Sequence, residues 1–330
     1  MSREAVDHAM ILAAEDRLAG KARLTPILSS PFLNEIAGRQ VLVKPECLQH
    51  TGSFKFRGAW SAISALAKKA LRRGVIAFSS GNHAQGVALA ARAHDAPALI
   101  VMPSDAPAAK IANTRGLGGE VVMYDRATQD RDAIGEALAR ERGLTLIRPY
   151  DEPLVIAGQG TVGLEIAQQA AEQGVAEAEV LVPCGGGGLT SGIALALEAE
   201  APGMLVRPVE PEGFDDVARS LASGRIEENA QRAGSLCDAI VTPSPGEITF
   251  PILARLCGPG LVVSEDEALA AMALAFAHLR IVLEPGGAVA LAAALFHPAE
   301  IKGESVIVVA SGGNVDAHVF HDALGRVPTT

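Results

Sequence analysis

Short apolar runs alternate with stretches of helical period along almost the whole chain, and no other feature restricts the fold as strongly. Residues 75–78, 98–102, 120–124 and 144–148 read as β-strands. Between them, residues 84–94, 107–116 and 129–142 carry apolar spacing nearer the helical period. A second series follows, with strands at 179–183, 204–210 and 305–310 and helices at 154–171, 189–201, 265–279 and 286–296. Alternating strand and helix predicts an α/β fold, a mainly parallel sheet with helices on both faces. Aromatic residues are only 4% of the chain, so the core is built from Ala, Val, Leu and Ile, as in sheets covered on both sides.

A chain of 330 residues has room for two compact units. The first series ends at Pro149-Tyr150-Asp151-Glu152-Pro153, two prolines around a turn, and another crossing lies near residues 71–74. We therefore expect a small domain at 73–150 and a large one made of 1–72 and 151–330. Residues 242–250, with two prolines and a glycine, read as a loop.

Composition excludes several classes of function. The net charge is −10 and no basic stripe is present, which argues against a nucleic-acid partner. Cys47, Cys184, Cys237 and Cys257 are widely spread and none is in CxxC spacing, so zinc or thioredoxin-like chemistry is not expected. Reduced thiols and a cytoplasmic location are expected instead. The N-terminus shows no basic segment followed by an apolar run, so no signal peptide is expected. The longest apolar runs, 268–277 and 288–296, are too short to span a bilayer.

Chemistry concentrates at a few points. Lys55 lies in Ser53-Phe54-Lys55-Phe56-Arg57-Gly58-Ala59, flanked by two aromatic residues. Apolar surroundings lower an amine's pKa, and a neutral amine attacks carbonyls to form a Schiff base. Gly185, Gly186, Gly187 and Gly188 follow a strand and open a helix at Leu189. Backbone N–H groups at such a helix start bind phosphate. The loop is neither a Walker loop nor a dinucleotide fingerprint. A nucleophilic lysine with an anion cradle suggests a phosphorylated aldehyde, of which pyridoxal phosphate is the commonest. Asn82 either donates to such a ligand or simply caps a helix. Ser80 reads as a proton donor or a turn residue, and His83 as a packed or capping residue. Ser311-Gly312-Gly313-Asn314 ends a third strand, so the strand-end loops at Ser79, Cys184 and Ser311 are expected to converge on one crevice. Glu210, Glu212, Asp215 and Asp216 form an acidic cluster, either a solvated turn or a hard-cation site.

Ser53-Phe54-Lys55-Phe56-Arg57-Gly58-Ala59, Ser80-Gly81-Asn82-His83-Ala84-Gln85-Gly86, Ala157-Gly158-Gln159-Gly160-Thr161, Gly185-Gly186-Gly187-Gly188-Leu189 and Ser311-Gly312-Gly313-Asn314 together resemble fold-type II pyridoxal-phosphate enzymes. The branch is that of threonine/serine dehydratases and serine racemases. The resemblance implies two open, mainly parallel twisted sheets flanked by helices, with the active site between domains. It implies pyridoxal 5'-phosphate held by Lys55 as an imine, with Phe54 against its ring and Asn82 on its 3-oxygen. Gly185 to Gly188 and Leu189 would hold the phosphate, Ser311 would face the pyridine nitrogen, and Glu284 would lie near the ring. Ser80, Gly81, Asn82, His83 and Arg131 would bind a small amino-acid substrate, with Lys55 and Ser80 as the catalytic pair. Glu210, Asp216 and the Phe214 carbonyl match a divalent-cation site for Mg²⁺ or Ca²⁺. The implied activity is deamination of L-threonine or L-serine to a 2-oxo acid and ammonia, by a homodimer. Serine racemisation and 3-hydroxyaspartate dehydration are the alternatives. Arg148-Pro149-Tyr150-Asp151 departs from the His-Pro pattern common in relatives. No regulatory domain is expected after the Ser311 motif.

Overall fold

The computed structural model describes residues 5–79, 81–106, 108–125, 128–129 and 131–326, apart from the side chains of residues 109, 131 and 132. Nine strands occur among them: β1 (Gln40–Lys44), β2 (Val75–Phe78), β3 (Ala98–Pro103), β4 (Gly119–Tyr124), β5 (Thr145–Leu146), β6 (Ala178–Pro183), β7 (Met204–Pro211), β8 (Leu261–Val263) and β9 (Ser305–Val309). They form two sheets, both parallel throughout: β1-β9-β6-β7-β8 and β4-β3-β2-β5.

Burial on both faces explains why the central strands read as continuous apolar runs. Successive strand side chains point to opposite faces. Leu181, Val306 and Val308 thus pack into one core with helices Glu265–Leu279 and Pro285–Phe296. Val180, Val182, Ile307 and Val309 pack into the other, with helices Pro153–Glu172 and Gly188–Glu200. The smaller sheet repeats the pattern: Ala98, Ile100 and Met102 face one cluster, Leu99 and Val101 another. Each such buried Val, Leu or Ile stabilises the fold by about 1.5–3 kcal/mol.

Several details differ from the sequence expectation. The strand expected at 144–148 shortens to two residues, because the chain beyond Leu146 turns to line the central cavity. The expected loop at 242–250 gives way to helix Thr249–Leu256 at its end. β1 and β8 carry too few apolar residues to stand out in the sequence. No helix among the described residues is long and apolar enough to cross a membrane.

Placement of the last strand matters most for the site. β9 inserts between β1 and β6. Its exit loop therefore meets the segment before Lys55: Ser53 bridges to Gly312, and the Ser311 carbonyl accepts the Phe54 N–H at 3.1 Å.

Candidate active site

A cavity of about 880 Å³ lies at the strand ends, walled by residues of both sheets. That volume suits a cofactor with a small substrate. Phe54, Lys55, Gly81, Asn82, His83, Gly185, Gly186, Gly187, Gly188, Leu189 and Glu284 all line it.

Lys55 is the first residue of helix Lys55–Ser64. Its Nζ donates to the Pro149 carbonyl at 2.9 Å and lies 5.1 Å from the Phe54 ring centroid. Phe56 does not join it. Consecutive helical residues point about 100° apart, and Phe56 packs instead against His50 and Trp60. Burial pulls the Lys55 amine down to about 8, against an opposing pull from Glu284.

The helix that carries Lys55 is fastened by buried charges. The Arg57 guanidinium donates to Glu46 Oε2 at 2.7 Å and Glu165 Oε1 at 2.7 Å, while Lys44 Nζ reaches Glu165 Oε2 at 2.5 Å. Two cations and two anions balance, so burial leaves no net charge unpaired.

The glycine loop follows β6 and opens helix Gly188–Glu200. Gly187 has φ 89°, a conformation that favours glycine, and a Cβ there would lie 2.8 Å from Leu253. A Cβ on Gly186 would collide with the Tyr150 ring. The Thr249 hydroxyl braces the loop by donating to the Gly186 carbonyl at 2.7 Å. Bare backbone N–H groups at a helix start, braced from outside, make a cradle for a phosphate.

Asn82 begins helix Asn82–Ala93. Its Nδ2 donates to Glu284 Oε1 at 2.6 Å, and its Oδ1 accepts from Asn314 Nδ2 at 2.7 Å. Burial pushes the Glu284 carboxyl up to about 7. His83 is buried, and its Nε2 meets the Ile147 carbonyl at 2.9 Å, which fixes that nitrogen as the protonated one. Burial and then the Lys55 charge drive its pKa down to about 3, so the ring stays neutral. Its Nδ1, without a hydrogen-bond partner among the described residues, and its main chain at the helix start remain for a ligand.

Ser311 is buried beside Phe54 and is not among the residues lining the cavity. Ser80 lies outside the described residues. Arg131 begins helix Arg131–Arg142, and its side chain lies outside the described residues.

Glu210 and Asp216 come together away from the cavity. Glu210 accepts the Val217 and Ala218 N–H groups at 3.0 and 2.7 Å. Asp216 Oδ1 accepts from Asn229, while its Oδ2 is buried with no hydrogen-bond partner among the described residues. Burial and the Asp216 charge push Glu210 well up, and burial raises Asp216 to about 7. The Asp216 Oδ2, unpartnered among the described residues, is the kind of donor a hard cation takes. No cluster of three or more His, Cys, Asp or Glu able to hold a metal occurs among the described residues. Phe214 itself is buried at the same turn.

Sequence reading missed several wall elements. The Pro149 carbonyl holds the amine. Asp151 accepts the Ile248 N–H at 2.8 Å and orders the 242–248 loop along the wall. Lys110 and Asp238, 3.4 Å apart, form an ion pair between residues that both line the cavity. Arg148 also lines the cavity and is exposed, and its charge acts on the half-buried Glu152 carboxyl nearby.

Comparison with known proteins gives three lines of support. The family model described as pyridoxal-phosphate dependent enzyme matches residues 18–312. An L-threo-3-hydroxyaspartate ammonia-lyase of Pseudomonas sp is 44% identical, over 96% of this chain and 98% of that protein. A serine racemase of Schizosaccharomyces pombe is 40% identical, over 96% of each. Among solved structures, a T.th. threonine deaminase superposes with a TM-score of 0.89 at 46% identity, covering 94% of this chain and 99% of that one.

Proposed function

The chain belongs to the pyridoxal-phosphate dependent enzyme family, and from that premise we propose that it deaminates β-hydroxy amino acids, L-threonine and L-serine first, to a 2-oxo acid and ammonia. The observation that carries this reading is Lys55: a half-buried amine with a pKa of about 8, lining the same cavity as the glycine cradle.

When bound, pyridoxal phosphate supplies a conjugated ring that accepts electrons and makes an amino acid's α-proton removable. The chain does the rest. Gly185, Gly186, Gly187, Gly188 and Leu189 would hold the phosphate, Phe54 would pack on the ring, and Asn82 would donate to the ring oxygen. Gly81, with the main chain of Asn82 and His83, orients the substrate carboxylate, together with Ser80 and Arg131. Lys55, as the free amine, would take the α-proton at Nζ. Ser311, uncharged and buried beside Phe54, would supply no charge to hold a proton on the ring nitrogen. His83, whose pKa is driven down to about 3, is too weak a base to compete with Lys55.

Arg148 favours a second reading, in which 3-hydroxyaspartate is the substrate and this cation receives its extra carboxylate. The Pseudomonas relative agrees with it. A panel of L-threonine, L-serine and 3-hydroxyaspartate, scored for ammonia and for D-serine, tests both. Ammonia from threonine or serine supports the first reading. Ammonia from 3-hydroxyaspartate alone, lost in Arg148→Gln, supports the second. D-serine without ammonia defeats both and leaves racemisation, with Ser80 as second acid-base group.

The same reading assigns a small domain to residues 73–150 and a large one to the rest, with the cavity between them. It assigns Mg²⁺ or Ca²⁺ to Glu210, Asp216 and the Phe214 carbonyl. A chelator should then slow turnover, and Mg²⁺ should restore it. The working form is taken as a homodimer in the cytoplasm, and the exposed apolar side chains of Phe32, Ile36 and Phe276 support the dimer.

A further inference from the structure

A line of amide contacts runs from the loop before Lys55 to the cavity wall. Thr51 has φ 60°, unusual for a residue with a β-branched side chain, and Gly52 follows at φ 73°. Asn314 Nδ2 donates to the Thr51 carbonyl at 2.7 Å and to Asn82 Oδ1 at 2.7 Å. Asn82 Nδ2 donates onward to Glu284 Oε1 at 2.6 Å. Gly52 leaves room for this, since a Cβ there would lie 2.7 Å from Asn314 Oδ1.

The order of these contacts is determined from one end. A main-chain carbonyl only accepts, so Thr51 dictates that the Asn314 amino group faces it. Asn82 then meets that same amino group and must present its oxygen. Turned over, Asn82 would set amino group against amino group and its oxygen against the Glu284 carboxyl. An amide nitrogen carries two hydrogens. Asn82 spends one on Glu284, which leaves one N–H, on a residue that lines the cavity with Lys55.

We propose that Asn314 is a positioning residue: it holds the Asn82 amide in the one orientation that offers an N–H to the cofactor's ring oxygen. The inference rests on the reading that pyridoxal phosphate occupies the cavity.

The test uses the full chain, stripped of cofactor and titrated with pyridoxal phosphate while its absorbance is followed against pH. Asn314→Ala frees Asn82, and Asn314→Asp sets oxygen against oxygen. Both should bind pyridoxal phosphate about tenfold more weakly, the scale of one lost hydrogen bond. Both should also shift the pH midpoint of the cofactor band. Because Asn314 acts through Asn82, adding Asn314→Ala to Asn82→Ala should weaken binding no further. Losses that multiply in the double variant, or an Asn314→Ala protein with unchanged affinity and spectrum, would overturn the proposal. If the aspartate variant does not fold, the alanine series decides alone. A parent chain that takes up no pyridoxal phosphate defeats the occupancy reading itself, a result distinct from any ranking of variants.

Discussion

Lys55 Nζ lies 2.9 Å from the carbonyl oxygen of Pro149, so the amine is aimed by a main-chain group that no substitution at position 149 deletes outright. The carbonyl accepts from the amine in either charge state, so it orients the nitrogen without holding it as an ammonium. Burial then lowers the amine's affinity for a proton.

That shift predicts a pH dependence. The neutral amine is the nucleophile, and its fraction grows about tenfold per pH unit below the pKa. The rate at which the cofactor-free chain captures pyridoxal phosphate should rise as pH increases and level off above about 8. Stopped-flow absorbance measures it. An ordinary lysine would keep accelerating to about pH 10.4, and that outcome would show that burial does not tune Lys55.

Gly186→Ala is expected to expel the phosphate. The new methyl collides with the Tyr150 ring, so the loop must move and its N–H groups lose their aim. Cofactor affinity should fall by about a hundredfold, in line with loss of charge-assisted hydrogen bonds worth about 1.5–3 kcal/mol each. Equilibrium dialysis reports it. An affinity within about twofold of the parent would mean that the loop does not carry the phosphate.

Arg57→Ala removes a guanidinium that two buried carboxylates share. Lys44 still faces Glu165, but Glu46 loses its direct cation. Breaking one partner of a buried pair costs about 3–5 kcal/mol. The urea midpoint should fall accordingly, and a loss under about 1 kcal/mol would contradict the role given to this cluster in fastening the Lys55 helix.

Much of the site was legible because its parts are local. Lys55 among aromatics, four consecutive glycines after a strand, and Asn82 at a helix start each announce themselves within a few residues. The contacts that orient them are not local. Asn314 stands 232 residues from Asn82, and the Pro149 carbonyl belongs to a class of atom that every residue carries. Phe56 misled for a physical reason: neighbours along a helix diverge in space. β1 escaped notice because it ends in Lys44, buried only by virtue of Glu165 and Gln169 far along the chain. The parallel sheets were plain because their central strands are apolar on both faces, whereas the three-residue β8 leaves almost no pattern to read.

Borohydride reduction of the cofactor-loaded chain, followed by peptide mass mapping, tests the central claim most directly. The reduced pyridoxyl group should be found on Lys55 and should disappear in Lys55→Ala together with ammonia release. A label on another lysine, or turnover retained in Lys55→Ala, would contradict the account.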